Sequence, residues 1–298
     1  MSKSVAEPSS PNPVSASGPG TLYIVATPIG NLEDLSPRAE RVLSTVDLVA
    51  AEDTRHTGRL LQHFGTRKPM IALHDHNERE RYQRVLDELQ AGKSVALVSD
   101  AGTPLISDPG YVLVREARAL GVKVSPVPGA CAAVTALSAA GLPTDRFLFG
   151  GFLSAKRSAR KAALESLRRE LATLVFYESP HRILEALADM ADVLGDTREV
   201  VLGRELTKAF ETFYSGSLAE VIEALQSDAH GTRGEFVVMV RGYEPSGEPQ
   251  SESALDEDRL LELLLRELPV KKAARVVADL TGGSKNELYQ RALSLKER

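Results

Sequence analysis

The stretch Val95–Gly110, VALVSDAGTPLISDPG, joins a short apolar run to a segment rich in Asp, Gly, Pro and hydroxyl side chains. The run Val95–Val98 is apolar without alternation and is bounded by turn residues, which is typical of a strand buried on both faces. Ser99–Gly110 shows neither helical nor strand periodicity, and a plain connection between two elements needs only a few residues. We therefore expect a functional loop directly after a buried strand.

Similar apolar runs alternate with helical patterns on both sides of this stretch. The other runs predicted as strands are Leu22–Ala26, Leu48–Ala51, Met70–Leu73, Lys123–Val127, Leu174–Tyr177, Val200–Gly203 and Phe236–Val240. Helix start and stop signals lie between them, such as Ser36 before Pro37, and Gly65 after the pattern Thr54–Phe64. This alternation predicts an α/β fold with a mainly parallel sheet, and such sheets bind ligands at the carboxyl ends of their strands.

Composition limits the classes of protein to consider. The chain has 298 residues, of which 43% are hydrophobic, enough for a full core. Met1–Gly20 is rich in Ser, Pro and Ala without the apolar segment of a signal peptide, so we expect a disordered tail. A single cysteine, Cys131, excludes an internal disulfide and a cysteine-based zinc site, and His74 and His76 lack an obvious third metal ligand. These features predict a cytoplasmic protein without a metal.

Charge is distributed unevenly around a net value of −5. Residues 244–258 carry six acidic and no basic side chains, which predicts a linker, and residues 259–298 carry nine basic and five acidic ones. Helices over Val270–Leu280 and from Ser284 onward, joined at Gly282, predict a basic helix-turn-helix-like domain or a helical hairpin that packs on another surface. Lys156–Arg169 holds six bases and one acid, typical of an RNA-contacting helix or of a solvated helix face.

Eight motifs, in chain order, resemble the ribosomal RNA small-subunit methyltransferase I family of the tetrapyrrole-methylase fold group. They are TLYIVATPIGNLEDLSPRA, AAEDTRHTGRLLQHFG, ALHDHNE, VALVSDAGTPLISDPG, VPGACAAVTALSAAGLPTDRF, FYESPHR, GRELTK and GEFVVMV. The resemblance implies two α/β subdomains, residues 21–128 and 129–243, with S-adenosylmethionine in the cleft between them. It also implies methylation of the ribose 2′-hydroxyl of a decoding-centre cytidine in 16S rRNA, on the assembled small subunit, by a homodimer.

The same resemblance implies a set of cofactor-binding residues. The set comprises Pro28, Ser99, Asp100, Ala101, Gly102, Thr103, Ile106, Ser107, Asp108, Ala132, Ala133, Phe176 or Tyr177, Leu206, Gly234, Glu235 and Phe236. Carboxylates suit a ribose diol or an ammonium group, glycine permits close backbone approach, and hydroxyls and free N–H groups suit a carboxylate. Ala130 departs from the family pattern, where proline is expected, but neither residue donates a side-chain hydrogen bond.

Polar clusters at four predicted strand ends supply candidates for the catalytic site. We expect Asp53, Arg55, His76, Glu178 and Arg204 there, with Asp53 or Glu178 as the base and the two arginines holding phosphate or alkoxide. Each of these side chains would also suit a salt-bridged cap. The expected RNA contacts are Lys156, Arg157, Arg160, Lys161, Lys271, Lys272 and Lys285.

Other functions are less consistent with the sequence. It contains neither G-x-G-x-x-G nor a Walker P-loop, which argues against a nicotinamide dehydrogenase and a P-loop NTPase. Methylation of a tetrapyrrole carbon would not explain the basic helix or the helical tail. A non-catalytic ribosome-binding protein with a retained cofactor pocket would not explain the polar strand ends.

Overall fold

The structure, a computed structural model, describes residues 18–73, 78–245 and 257–296. The chain divides into two compact units, Met1–Tyr243 and Glu244–Arg298. No helix in the described ranges has both the length and the apolar character needed to cross a membrane. Most of the predicted N-terminal tail and acidic linker, together with His74 and His76, lie outside the described residues.

The first half of the larger unit is a five-stranded parallel sheet covered by helices. Its strands follow the order β3-β2-β4-β1-β5. They are β1 (Thr21–Val25), β2 (Leu48–Ala51), β3 (Met70–Ala72), β4 (Val95–Val98) and β5 (Lys123–Val127). The connecting helices are α1 (Pro37–Thr45), α2 (Thr54–His63), α3 (Glu78–Gln90) and α4 (Tyr111–Ala119). The apolar run Val95–Val98 forms β4, the central strand of this sheet.

Strand β4 is apolar throughout because both of its faces are covered. Val95 and Leu97 pack in one core cluster, which includes residues of α3 and α4, while Ala96 and Val98 pack in another, which includes residues of α1 and α2. The helix start predicted at Ser36 is confirmed, because its side chain accepts a hydrogen bond from the Ala39 N–H.

The second half of the larger unit is a separate sheet with the order β6-β7-β10-β8-β9. Its strands are β6 (Phe147–Phe152), β7 (Thr173–Glu178), β8 (Glu199–Arg204), β9 (Thr212–Ser217) and β10 (Phe236–Val240). Its helices are α5 (Ala132–Ala140), α6 (Arg157–Ser166), α7 (Ile183–Leu194) and α8 (Leu218–Ser227). Only β6 and β7 pair in parallel here, but among the described residues five of the eight strand pairs are parallel, which confirms the predicted class.

The two faces of this second sheet have different neighbours. Leu174, Phe176 and Leu202 pack in a core cluster with α6, α7 and α8. The opposite face, with Val175 and Val237, packs in a second cluster that includes α5. The candidate site described below lies at the end of this α5-covered face.

The smaller unit is a bundle of three helices. They are α9 (Glu257–Leu265), α10 (Val270–Thr281) and α11 (Lys285–Lys296), around a core that includes Leu261, Val277 and Leu288. Gly282 follows α10 in the left-handed conformation (φ 74°), which ends the helix where the sequence predicted a turn. Helix α9 precedes the predicted pair.

Candidate active site

A cavity of about 320 Å³ lies where the loop after β4 meets the α5-covered face of the second sheet. Its size is within the range of small-molecule sites. Eleven predicted cofactor residues line it, namely Ala101, Gly102, Thr103, Ile106, Ser107, Asp108, Ala132, Tyr177, Leu206, Glu235 and Phe236. We call this space the first cavity.

The loop after β4 is fastened to the loop after β1. The Thr27 N–H donates to the Gly102 carbonyl at 2.9 Å, and the Gly102 N–H donates to the Thr27 carbonyl at 3.1 Å. Gly102 has a φ of 80°, and a Cβ there would lie 3.3 Å from the Ile29 side chain. The Thr103 hydroxyl donates to the Ala130 carbonyl at 2.9 Å, so the loop is tied to the segment before α5 as well.

Strained backbone is concentrated in two loops that contribute residues to this cavity. Leu105, Ser107, Glu205 and Thr207 have φ values of 73°, 69°, 53° and 65°, and no other non-glycine residue in the described ranges has a positive φ. Such conformations cost about 1–3 kcal/mol each and persist only where the surroundings hold them in place. The loops are therefore pre-shaped by their contacts.

Asp108 is the half-buried carboxyl group of the first cavity. Burial, together with the nearby charges of Glu52 and Asp100, raises its pKa to about 6, against a hydrogen bond with Ser99 that lowers it. Two other groups of the loop have internal roles. Ser99 is buried with its hydroxyl 3.3 Å from the Ala101 carbonyl, and Asp100 Oδ1 accepts the Asp53 N–H at 3.0 Å.

Tyr177 forms part of the opposite wall. Its hydroxyl accepts a hydrogen bond from the Ala133 N–H at 3.1 Å, and burial raises its pKa far above the usual value, so the phenol stays neutral. The rings of Phe149 and Phe152 lie edge-on to it at centroid distances of 4.9 and 5.6 Å. Of the two aromatic candidates, Tyr177 lines the cavity, whereas Phe176 points into the core on the other face of the sheet, because neighbours on a strand alternate sides.

Several predicted cofactor residues lie elsewhere, and others were missed. Pro28 and Asp100 line a second cavity described below, and four more line neither cavity: Ser99, Ala133, Phe176 and Gly234. The cavity residues absent from the cofactor prediction are Ile29, Cys131, Phe152, Glu178, Ser179, Pro180 and Val237. All but Phe152 stand inside the quoted motifs, within two residues of a predicted one, so position within a motif was the available signal.

Of the four catalytic candidates that lie in the described ranges, Glu178 alone lines the first cavity. It is 3% exposed, and its Oε1 accepts the Ser179 N–H at 2.7 Å and lies 2.7 Å from the Arg182 guanidinium. Its Oε2 is buried and has no hydrogen-bond partner in the described parts of the chain. This oxygen is free to accept a proton or a hydrogen bond from a ligand.

Asp53, Arg55 and Arg204 are not among the residues that line either cavity. Asp53 caps α2, and its carboxylate pairs with Arg55 at 3.0 Å; that hydrogen bond lowers the pKa of Asp53, which makes it a poor base. Arg204 is buried, donates to the His230 carbonyl at 2.5 Å and lies 3.6 Å from Asp228. None of these three side chains lines either cavity, so the catalytic roles expected for them stay predictions, and His76 lies outside the described residues.

A second cavity of about 440 Å³ adjoins the first, and Ile29, Ala101 and Glu235 line both. Its remaining lining consists of Thr27, Pro28, Gly30, Leu32, His56, Arg59, Leu60, His63, Asp100 and Lys208. The Lys208 ammonium donates to Glu205 at 2.8 Å and to Glu235 at 3.0 Å. No group of three His, Cys, Asp or Glu side chains in the described ranges is arranged to hold a metal.

The basic stretch on α6 is mostly engaged in ion pairs with α7. Arg160 is 1% exposed and lies 2.7 Å from Asp189, so the expectation that it contacts RNA is corrected. Arg157 lies 2.8 Å from Asp189, and Lys161 lies 3.2 Å from Asp192. The other expected RNA contacts lie on exposed positions: Lys156 before α6, Lys271 and Lys272 on α10, and Lys285, which pairs with Asp279 at 3.0 Å.

Comparison with known proteins identifies two families in the chain. The family described as Tetrapyrrole (Corrin/Porphyrin) Methylases matches residues 21–222, and the family described as RsmI C-terminal HTH domain matches residues 251–296.

Individual relatives cover most of the chain. It is 58% identical to the Ribosomal RNA small subunit methyltransferase I of Pseudomonas aeruginosa, with 92% of this chain and 97% of that protein covered. It is 56% identical to the protein of the same name from Vibrio cholerae, with 92% and 94% covered. A crystal structure of uroporphyrin-III-C-methyltransferase from Thermus thermophilus aligns with a TM-score of 0.53 at 21% identity, over 74% of this chain and 94% of that chain. That likeness shows a shared fold.

Proposed function

Since the chain belongs to the ribosomal RNA small subunit methyltransferase I family, we propose that it methylates the ribose 2′-hydroxyl of a decoding-centre cytidine in 16S rRNA, on the assembled small subunit. It is a methyltransferase with S-adenosylmethionine as its cofactor. One observation supports rRNA, and not a tetrapyrrole, as the class of substrate. The rRNA methyltransferase relatives cover 92% of the chain, including most of the helical unit, whereas the tetrapyrrole methyltransferase fold covers 74% of it.

The residues of the first cavity fit S-adenosylmethionine. Ile106, Leu206 and Phe236 provide an apolar wall for an adenine ring, and the Asp108 carboxyl suits a ribose diol or an ammonium group. The Glu178 Oε2 is a buried acceptor without a partner in the described ranges, which a ligand would satisfy. We propose that the apolar wall and the Asp108 carboxyl, with the backbone of the loop after β4, hold the cofactor, and that Glu178 Oε2 stays available to the substrate.

The protein's own contribution to the reaction is alignment, exclusion of water and removal of a proton. The cofactor supplies an electrophilic methyl group when bound. The strained loops and their tight contacts keep the walls of the cavity in one shape, which favours in-line approach of the hydroxyl. We propose Glu178 as the acceptor of the 2′-hydroxyl proton, in place of Asp53, whose carboxylate is held by Arg55 outside the cavity.

Two further properties belong to the proposal. We expect a homodimer, as the family resemblance implies, and light scattering would measure its mass. We also expect activity in the cytoplasm, where assembled small subunits are found, and not on a membrane-bound substrate.

Transfer of labelled methyl from S-adenosylmethionine tests the proposed function. The acceptors are assembled small subunits, naked 16S rRNA and a tetrapyrrole, followed by a map of ribose methylation. Label at one decoding-centre cytidine, on subunits only, is the expected result. Label on the tetrapyrrole, or tight cofactor binding without label on any RNA, would show that the substrate is different.

A further inference from the structure

The larger unit needs a surface that can receive RNA phosphates near its cavities, and α6 does not supply it. Arg157, Arg160 and Lys161 are held by carboxylates of α7, so they offer little net charge to a phosphate. Phosphate contacts provide most of the sequence-independent affinity of RNA-binding proteins. Cations without an acidic partner are better suited to this role.

Helix α2 presents one such cation, Arg59, flanked by two imidazoles on the same side. His56, Arg59 and His63 are spaced by three and four residues, which places their side chains on the same helix face. All three are exposed, and all three line the second cavity. Within the described parts of the chain Arg59 pairs with no acidic side chain, in contrast to Arg55, which is held by Asp53 at 3.0 Å.

The acidic residues of the second cavity are engaged in bonds of their own. Asp100 accepts the Asp53 N–H, and the Glu235 carboxylate accepts from the Lys208 ammonium at 3.0 Å. The charge of Glu235 is therefore partly compensated by Lys208, and one oxygen of Asp100 is occupied by a backbone N–H. The side of the cavity formed by α2 retains a net attraction for anions.

We propose that His56, Arg59 and His63 bind the phosphates of the RNA strand that carries the target ribose, and that the second cavity receives the target nucleotide. This inference rests on the proposed function and adds where the strand lies. The cavities share Ile29, Ala101 and Glu235, so a nucleotide in the second lies beside the cofactor in the first. Arginine donates two parallel hydrogen bonds to phosphate, and imidazole has an N–H donor in either protonation state.

The test compares Arg59→Gln with Arg59→Lys and with a matched control, Arg41→Gln. Arg41 is an exposed arginine on α1 that lines neither cavity. Steady-state methylation of small subunits is measured at several salt concentrations, and the Kd of S-adenosylmethionine is measured by calorimetry. For Arg59→Gln we expect the KM for subunits to rise roughly tenfold, as for loss of a charge-assisted hydrogen bond. The slope of log KM against log salt should fall by about one.

The controls separate this inference from the proposed function. Arg59→Lys should recover part of the lost affinity, and cofactor affinity should stay at the wild-type value in all three variants. If Arg59→Gln behaves like Arg41→Gln while the wild-type enzyme methylates subunits, the phosphate assignment is wrong and the proposed function stands. If both Arg59 variants lose cofactor affinity, the side chain supports the cleft instead, which also overturns the assignment. If the wild-type enzyme transfers no methyl to subunits, the proposed function itself fails.

Discussion

At the scale of single residues, two carboxyl groups of the first cavity have opposite surroundings. Glu178 is fully buried, with one oxygen satisfied by Ser179 and Arg182 and the other without a partner in the described ranges. Asp108 is half-buried beside the charges of Glu52 and Asp100, so its ionised form is disfavoured. We therefore expect the two similar side chains to have separate roles, Glu178 as the proton acceptor and Asp108, with its pKa of about 6, as a ligand-binding group.

Replacing Glu178 with Gln tests its role as the proton acceptor. Glu178→Gln keeps the shape and can still bond Ser179, but the amide cannot take the hydroxyl proton. We expect the rate of methyl transfer to fall by about 10²–10⁴-fold, the usual contribution of a general base. Single-turnover assays with small subunits measure this, with Glu223→Gln, an exposed position on α8, as the control. An unchanged rate in Glu178→Gln would remove it from the chemistry.

Asp108 predicts a pH dependence of stability. Its pKa of about 6 in the folded protein exceeds the ordinary value of 3.8, so the native state binds more protons than the unfolded state between these values. The stabilising contribution of the neutral form is therefore complete below pH 3.8 and is lost as the pH rises through about 6. We therefore compare the free energy of unfolding of Asp108→Asn with that of wild type. This difference should be about 1 kcal/mol more favourable to the variant at pH 8 than at pH 4, after allowance for partial exposure.

Urea unfolding of the cofactor-free protein at both pH values measures this gain. Asp145→Asn, at an exposed position, is the control and should show the same difference from wild type at both pH values. A gain for Asp108→Asn that is equal at pH 4 and pH 8 would contradict the expected titration.

At the scale of secondary-structure elements, α6 and α7 are held together by ion pairs as well as by apolar contacts. Asp189 is 1% exposed and receives both Arg157 and Arg160, whereas Asp192 is half-exposed and receives Arg157 and Lys161. Removing one partner of a buried pair leaves an uncompensated charge, while an exposed pair contributes little.

This difference predicts unequal effects of two similar substitutions on α7. Asp189→Asn should lower the free energy of unfolding by about 3–5 kcal/mol, because Arg160 is left buried without its counter-charge. Asp192→Asn, three residues away, should change it by less than about 1 kcal/mol. Urea unfolding monitored by circular dichroism measures both. Equal effects of the two substitutions would mean that α6 and α7 are held by their apolar contacts.

Elements also show what could be predicted from sequence. Every apolar run predicted as a strand is a strand, and the continuous apolar signal is clearest in β2, β4 and β10, which are buried at every position. The strands β6 and β9 were missed, since glycines interrupt both. The glycine at position 150 of β6 is required by packing, because a Cβ there would lie 2.5 Å from the Phe176 ring.

The residues that line the candidate site could be predicted only where they are close to one another along the chain. The loop after β4 was found because it follows a buried strand, and its members line the first cavity. The basic stretch on α6 was misjudged because its acidic partners lie on α7, about thirty residues later, where spacing gives no signal. Asp53 and Arg55 pair with each other at the start of α2, which a strand-end position does not reveal.

At the scale of the whole molecule, we expect the larger unit to hold the cofactor and the target nucleotide, and the helical unit to add further contacts to the substrate. The cavities are formed by residues of the larger unit alone, which has its own cores around its two sheets. The helical unit has an independent core and exposed lysines at 271 and 272. It therefore suits contact with the substrate or with a partner subunit, while the larger unit is self-sufficient for the cofactor.

Deletion of residues 244–298 tests this division. Because every residue of the first cavity remains, we expect the Kd of S-adenosylmethionine to stay within about twofold of the wild-type value. The KM for small subunits should rise at least roughly tenfold, with a shallower salt dependence, because phosphate contacts from the basic helices are lost. Calorimetry, methylation kinetics and light scattering measure the three quantities. An unchanged KM with a mass that falls from that of a dimer to that of a single truncated chain would instead assign the helical unit to contact between subunits, since the deletion by itself removes only 55 of 298 residues from each chain.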